Sequence, residues 1–313
     1  MAKTKSETPK STTQPPLIVA NKVLTISFPW KEVEPEYQKA LNKMAKQLVI
    51  PGFRKGMVPP HIAEEQLKPE ALVEAVLQRL LPKAYQEALE KEHKHPISDP
   101  EFDPKVVTKG VDWQIEVHLA EKPTVDVTNY VKIAKEAKKA ALAHLKEEAK
   151  KKEQSKTEKG STKTTADDLH EKQHQDDHIL QHIFQDLVKI CKPQLPELLV
   201  KQQTRRELER LVQELQSMKL TLDDFLSRNN QTFEQLSGNI AARAVGQLQL
   251  EFILQAISQQ AEITVTEAEI EEVIAKIGDE KVRKEKQTET HYLEAIREHL
   301  SRKKLFDHLL TIA

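Results

Sequence analysis

Residues Val111 to Ala120, VDWQIEVHLA, alternate between apolar and polar side chains. A period of two places Val111, Trp113, Ile115, Val117 and Leu119 on one face of a strand, leaving the other face to solvent. Lys109-Gly110 supplies a turn just before it, and Phe102 to Val107 supplies a partner, so the stretch predicts a hairpin. Further upstream, Leu17 to Phe28 (LIVANKVLTISF) is rich in β-branched residues and sets Leu24, Ile26 and Phe28 against Val23, Thr25 and Ser27. That is a third strand, stopped by Pro29.

Between these strands the period changes. Val33, Tyr37, Ala40, Leu41, Met44 and Leu48 recur at steps of three and four, predicting a helix over Lys31 to Val49. Pro60 to Gln66 reads as one or two helical turns. Glu70 to His93 reads as a longer helix, with Pro82 predicting a kink or break because proline lacks the donor for the residue four back. The first domain is therefore α+β, a small antiparallel sheet with helices on one face.

The remainder is helical. Ile133 to Gln154 is rich in Ala, Lys and Glu, with a weak stripe of Ile133, Ala137, Ala140, Ala141 and Leu145. Ser155 to Thr165 reads as a flexible linker. Ile179, Leu180, Ile183, Phe184, Leu187, Val188 and Cys191 form a stronger stripe. Leu198 to Met218, Phe233 to Ser258 and about His291 to Leu310 complete the pattern. Thr221 is expected as an N-cap with Asp223 and Asp224 in the first turn. Thr266 with Glu269 is expected as a capping box, its helix ending near Gly278. The expectation is an all-α second domain and a predominantly helical chain.

The chain has 313 residues, about two domains' worth, and 31% of them are charged. The formal net charge is −1, so no global pull on nucleic acid or membrane is expected. The distribution is uneven: residues 1–60 carry ten Lys and Arg against four Asp and Glu, and residues 131–163 carry eleven Lys against five Glu. One cysteine, Cys191, excludes an internal disulfide and is read as a buried structural thiol in a reducing, cytoplasmic setting. No apolar run reaches the about 18 residues of a membrane span. Residues 1–16 read as a disordered tail rather than a secretory signal.

One loop stands apart. Pro51 to Pro60, PGFRKGMVPP, holds two of the seven glycines four residues apart, with Phe53, Arg54 and Lys55 between them. Arg clamps a carboxylate or phosphate bidentately, and an exposed Phe anchors an interface. Spacing alone leaves two readings open: a docking tip, or a basic turn whose Phe folds back into the core. GFRKGMVPP resembles the ribosome-docking signature of the trigger factor family, roughly Gly-Phe-Arg-x-Gly-Lys-x-Pro, and the order strand, helix, loop, helix, hairpin agrees. Gly52, Phe53, Arg54, Gly56 and Pro59 match, Lys55 fills the free position, and Met57 stands where the family has Lys. Pro196 to Leu199, Glu207 to Glu209, Leu222 to Leu226 and Leu248 to Thr266 also resemble the start and later part of the family's C-terminal arms.

The resemblance implies an ATP-independent, cytoplasmic chaperone without cofactor. Residues 17–129 would bind the ribosome at the tunnel exit, through a ribosomal protein and rRNA. Residues 179–313 would form a helical domain sheltering nascent or unfolded polypeptides, and the family leaves room for a homodimer off the ribosome. Family members usually carry a peptidyl-prolyl isomerase domain between these parts. Here residues 131–178 contain one Gly and no Phe, Tyr or Trp. The expectation for 130–178 is thus a charged helix and linker in place of the isomerase, and no enzyme. Two alternatives stay open, an isomerase as in full-length relatives and an RNA-binding ribosome-associated factor using the basic segments.

His170, His174, His178 and His182 recur every four residues, and an i, i+4 His pair chelates Zn²⁺ or Ni²⁺. A lone helix seldom closes a site and no Cys is near, so a solvated face and no metal are expected. No catalytic triad motif, phosphate-cradling loop or Cys/His metal spacing is present.

Overall fold

The computed structural model describes residues 17–54, 56–155, 165–276 and 289–313, the side chains of 148–155 and 165–171 excepted. The expected tail at 1–16, most of the Ser155–Thr165 linker, and Gly278 lie outside the described residues. The chain divides into two compact units, one of Ile18–Lys122 with Pro196–Arg206, the other containing Pro123–Leu195 and Glu207–Ala313.

In the first unit, β1 (Lys22–Phe28), β2 (Glu101–Val106) and β3 (Trp113–Leu119) form an antiparallel sheet with β3 in the centre. Leu24 faces Val117, Ile26 faces Ile115 and Phe28 faces Trp113, so the apolar residues of both strands meet on one face. Trp113, Ile115 and Val117 are wholly buried there. Pro104, which cannot donate to a ladder, sits on the edge strand β2, where the register shifts.

Val111 is a correction: it is half exposed and lies before β3. Its N–H bonds the Thr108 carbonyl in the hairpin turn, and the next carboxylate, Asp112, accepts from the Trp30 amide at 2.8 Å. Asp112 thereby satisfies a free donor at the start of helix α1 (Trp30–Ala45), which draws the chain out of the ladder.

Helices α1, α2 (Pro60–Gln66) and α3 (Pro69–Glu92) complete this core. α3 runs unbroken through Pro82, where a kink or break was expected. Leu77 and Leu81 are buried just before the proline, and packing there outweighs one missing hydrogen bond. The first turns of α6 (Glu197–Ser217) belong to the same unit. The Leu198 amide donates to Asn21 Oδ1 at 2.7 Å, and Lys201 pairs with Glu101.

The second unit is all-α. α4 (Tyr130–Ser155) and α5 (Thr165–Cys191) pack together with α8 (Phe233–Gln260) and α10 (Thr290–Ile312) around Ile183, Leu187, Ile253, Ile257 and Leu309. α4 buries Ile133, Ala134, Ala137 and Ala141, whereas Ala140, expected in its stripe, is exposed. Short α7 (Leu222–Arg228) and α8 open with reciprocal caps. Asp224 N–H reaches Thr221 Oγ1 at 3.1 Å, and Gln235 N–H reaches Thr232 Oγ1 at 3.2 Å. At α9 (Glu267–Ala275) the Glu269 carboxylate accepts the Thr266 amide at 2.8 Å. Cys191 is half-buried, and burial followed by the nearby Asp126 charge pushes its thiol up.

Candidate functional site

The loop between α1 and α2 is built from two successive turns. α1 unwinds as the Gln47 amide bonds the Met44 carbonyl three residues back at 3.0 Å, and Leu48 and Ile50 tuck against the core. The Phe53 N–H then returns to the Ile50 carbonyl at 3.1 Å, and the Met57 N–H to the Arg54 carbonyl at 2.9 Å. Each turn carries glycine at its third position, Gly52 at φ +93° and Gly56 at φ +85°. Pro51 precedes Gly52, the sequence expected of a type II turn, whose third residue needs positive φ. The four-residue spacing of the glycines is therefore the spacing of two tandem turns.

Both ends of the loop are anchored. Val58 is buried, Pro59 precedes α2, and Pro60 starts it without an amide to satisfy. α2 is braced by Glu64, which accepts from Tyr37 Oη at 2.8 Å and from Lys109 Nζ at 2.7 Å. The ammonium of Lys109 holds the Glu64 carboxyl below its usual range. Burial, then the bond to Glu64, pushes the Tyr37 phenol up to about 12. α1, α2 and the β2–β3 turn are thus tied together beneath the loop.

What the loop displays is mixed. Phe53 is 37% exposed, and Val49 and Met57 are each 71% exposed. Gly52, Arg54 and Gly56 are exposed as well, and Pro59 is half-buried. Lys55 lies outside the described residues. Met57, where the family signature has a cation, instead adds apolar surface to the tip.

Two apolar grooves were not legible in the sequence. The first unit has one of about 880 Å³ between α3 and β2, where Val73, Leu77 and Leu81 face Pro104 and Val107. Tyr85 and Phe102 meet edge-on there, with ring centroids 5.7 Å apart. The second unit has one of about 750 Å³, lined by Phe184, Leu250, Leu254, Leu305 and Phe306 and rimmed by Glu251, Gln255, Arg297 and Arg302. Leu220, Leu222 and Phe225 are half-buried, while Met218 and Phe233 are 65% and 50% exposed. Among the described residues no helix is long and apolar enough to cross a membrane.

The histidine series divides. His178 and His182 approach His144 of α4, His174 is exposed outside that group, and the side chain of His170 lies outside the described residues.

Comparison with known proteins agrees with this architecture. Residues 12–155 match the family model described as bacterial trigger factor protein, and residues 162–311 match that described as bacterial trigger factor protein C-terminus. The trigger factor of Natranaerobius thermophilus is 37% identical over 123 residues, 39% of this chain and 28% of that one. That of Streptococcus mutans serotype c is 35% identical over 108 residues, 34% of this chain and 25% of that one. The matched part thus spans about a quarter of the length of these curated relatives. A solved structure described by the words "Promiscuous Substrate Recognition in Folding and Assembly Activities of the Trigger Factor Chaperone" superimposes with a TM-score of 0.59. It covers 93% of this chain and 97% of that one at 13% identity, a likeness of fold. With the two domain models separated only by residues 156–161, the chain belongs to the trigger factor family.

Proposed function

We propose that this chain is an ATP-independent, cytoplasmic chaperone that docks at the ribosomal tunnel exit and shelters emerging polypeptides. The observation that carries the reading is the α1–α2 loop. Two glycine turns on an anchored base hold Phe53 and Arg54 outward together, in a chain whose family is that of the trigger factors. Phe53 supplies the apolar anchor and Arg54 a bidentate clamp for a ribosomal carboxylate or rRNA phosphate, with Gly52, Gly56 and Pro59 shaping the tip and Lys55 adding a second cation.

The helical unit supplies the client surface. Clients differ in sequence, so many weak apolar contacts suit them better than one shaped pocket, because burial energy follows apolar area. The open groove of Phe184, Leu250, Leu254, Leu305 and Phe306 has that character, and its Gln and Arg rim accommodates client backbone. The reading is of a holdase that does not isomerise prolyl bonds. In its support, α4 and α5 bracket the interval between the matched domains and pack into the helical core, and residues 131–178 hold no Phe, Tyr or Trp for an aromatic pocket.

Co-sedimentation with translating ribosomes tests the docking. The wild-type chain is expected in the ribosomal pellet and the Phe53→Ala/Arg54→Ala chain in the supernatant. Equal pelleting of the two would sink the proposal.

A further inference from the structure

His178 and His182 stand one turn apart on α5, and His144 meets them from α4. The His178 and His182 ring centroids are 4.7 Å apart. The His144 ring lies nearly parallel to that of His178, at 5.5 Å and 16°, and 6.0 Å from that of His182. One ring nitrogen from each of the three lies within 4.8 Å of the others. His144 is exposed and the other two are half-buried, so the cluster opens to solvent on one side.

The placement follows from the packing of α4. Ala134, Ala137 and Ala141 are wholly buried at steps of three and four, and His144 is the next position in that series. Alanines let two helix backbones approach closely, since the interaxial distance follows the side chains at the contact. A histidine at the end of such a seam is carried directly onto the neighbouring helix.

We propose that His144, His178 and His182 form a Zn²⁺ site that clamps α4 to α5. Three neutral imidazoles are a donor set for late first-row divalent ions, and hard oxygen-seeking Mg²⁺ or Ca²⁺ are disfavoured by it. Zn–N bonds of about 2.0–2.1 Å in a tetrahedron put the nitrogens roughly 3.4 Å apart, so the rings close in by little more than an ångström. Rotations about the side-chain torsions of exposed and half-buried rings reach that. The fourth position is left to water, as in three-histidine zinc sites. The other such cluster among the described residues contrasts with this one. Asp103, Glu116 and His118 surround Lys105, whose ammonium lies 2.6 Å and 3.3 Å from the two carboxylates and already fills the cation's place.

The test is a calorimetric titration of ZnCl₂ into the untagged, chelator-stripped full chain at neutral pH, beside His144→Ala and His174→Ala. One ion per chain is expected for the wild type. His144→Ala is expected to weaken binding at least tenfold, because loss of even an outer-shell partner weakens it about 10–100-fold. His174→Ala is expected to bind as the wild type does, and Zn²⁺ to raise the melting temperature of the wild type but not of His144→Ala. His144→Gln repeats the measurement with circular dichroism to confirm the helical fold. Absence of wild-type binding, or His144→Ala titrating like the wild type, would overturn the site. Loss of binding in His174→Ala with His144→Ala unaffected would overturn it as well, by assigning the ion to α5 alone.

Discussion

Phe53→Ala separates docking from folding. The ring is 37% exposed. An aromatic side chain offers about 200 Å², so roughly 75 Å² is left for a partner to cover. At about 25 cal/mol per Å² that area is worth about 2 kcal/mol, or about 25-fold in affinity. The assay is a titration of labelled chain with purified ribosomes at one fixed salt concentration, since contacts to rRNA are salt-dependent. Urea unfolding of the same variant is the control. The docking account expects a dissociation constant raised on the order of tenfold or more, beyond whatever stability the part-covered ring contributes, with the variant still folded at the assay temperature. The opposite pattern would refute it: ribosome affinity within twofold of wild type, with the loss of about 3–5 kcal/mol in stability typical of a core Phe. That result would mean the ring closes over the hydrophobic core and the loop is only a basic turn.

Trp113→Ala is expected to destabilise the first unit by about 3–5 kcal/mol in urea unfolding, because the ring is wholly buried and its Nε1–H bonds the Thr108 carbonyl at 3.0 Å. A loss below about 1 kcal/mol would contradict the packing around β3. In the second unit, the hydrogen bond from Lys304 and then that from the Thr266 amide hold the Glu269 carboxyl at about 2, below its ordinary 4.5. A depressed folded-state value means the stabilisation is present above pH 4.5 and is lost as pH falls towards 2. The stability difference between wild type and Lys304→Met should therefore shrink across that window, and a difference independent of pH would exclude the pair as its source.

The strands show why some of the fold was legible. Leu24, Ile26 and Phe28 on β1 and Trp113, Ile115, Val117 and Leu119 on β3 are the buried alternate residues, as a period of two requires of a sheet with one covered face. Val111 fits the same pattern and lies outside the strand, because a tertiary bond from Asp112 to the start of α1 competes for that segment. Pro82 breaks no helix for a related reason, since contacts remote in sequence hold α3 on both sides of it. In α4 the alanines carry a 3.6-residue period too weakly to tell which of them is buried. Ala134 and not Ala140 is buried, and only the helices packed against α4 decide that.

The docking loop divides along the same line. The glycine spacing, the prolines at its ends and the Phe-Arg pair are local chemistry, readable because positive φ and a missing amide belong to single residues. The exposure of Phe53, by contrast, depends on how Leu48, Ile50 and Val58 seat the loop on the core. The two grooves and the histidine cluster were out of reach for a stronger reason, since each joins segments far apart in the chain. Sequence by itself determined the α+β then all-α order, the glycines and prolines that set Pro51 to Pro60 apart, and the resemblance to the family, because periodicity and backbone preference act over a few residues. Tertiary structure alone decided that His144 faces His178 and His182, because a close helix–helix approach is a property of two surfaces and is written in neither helix.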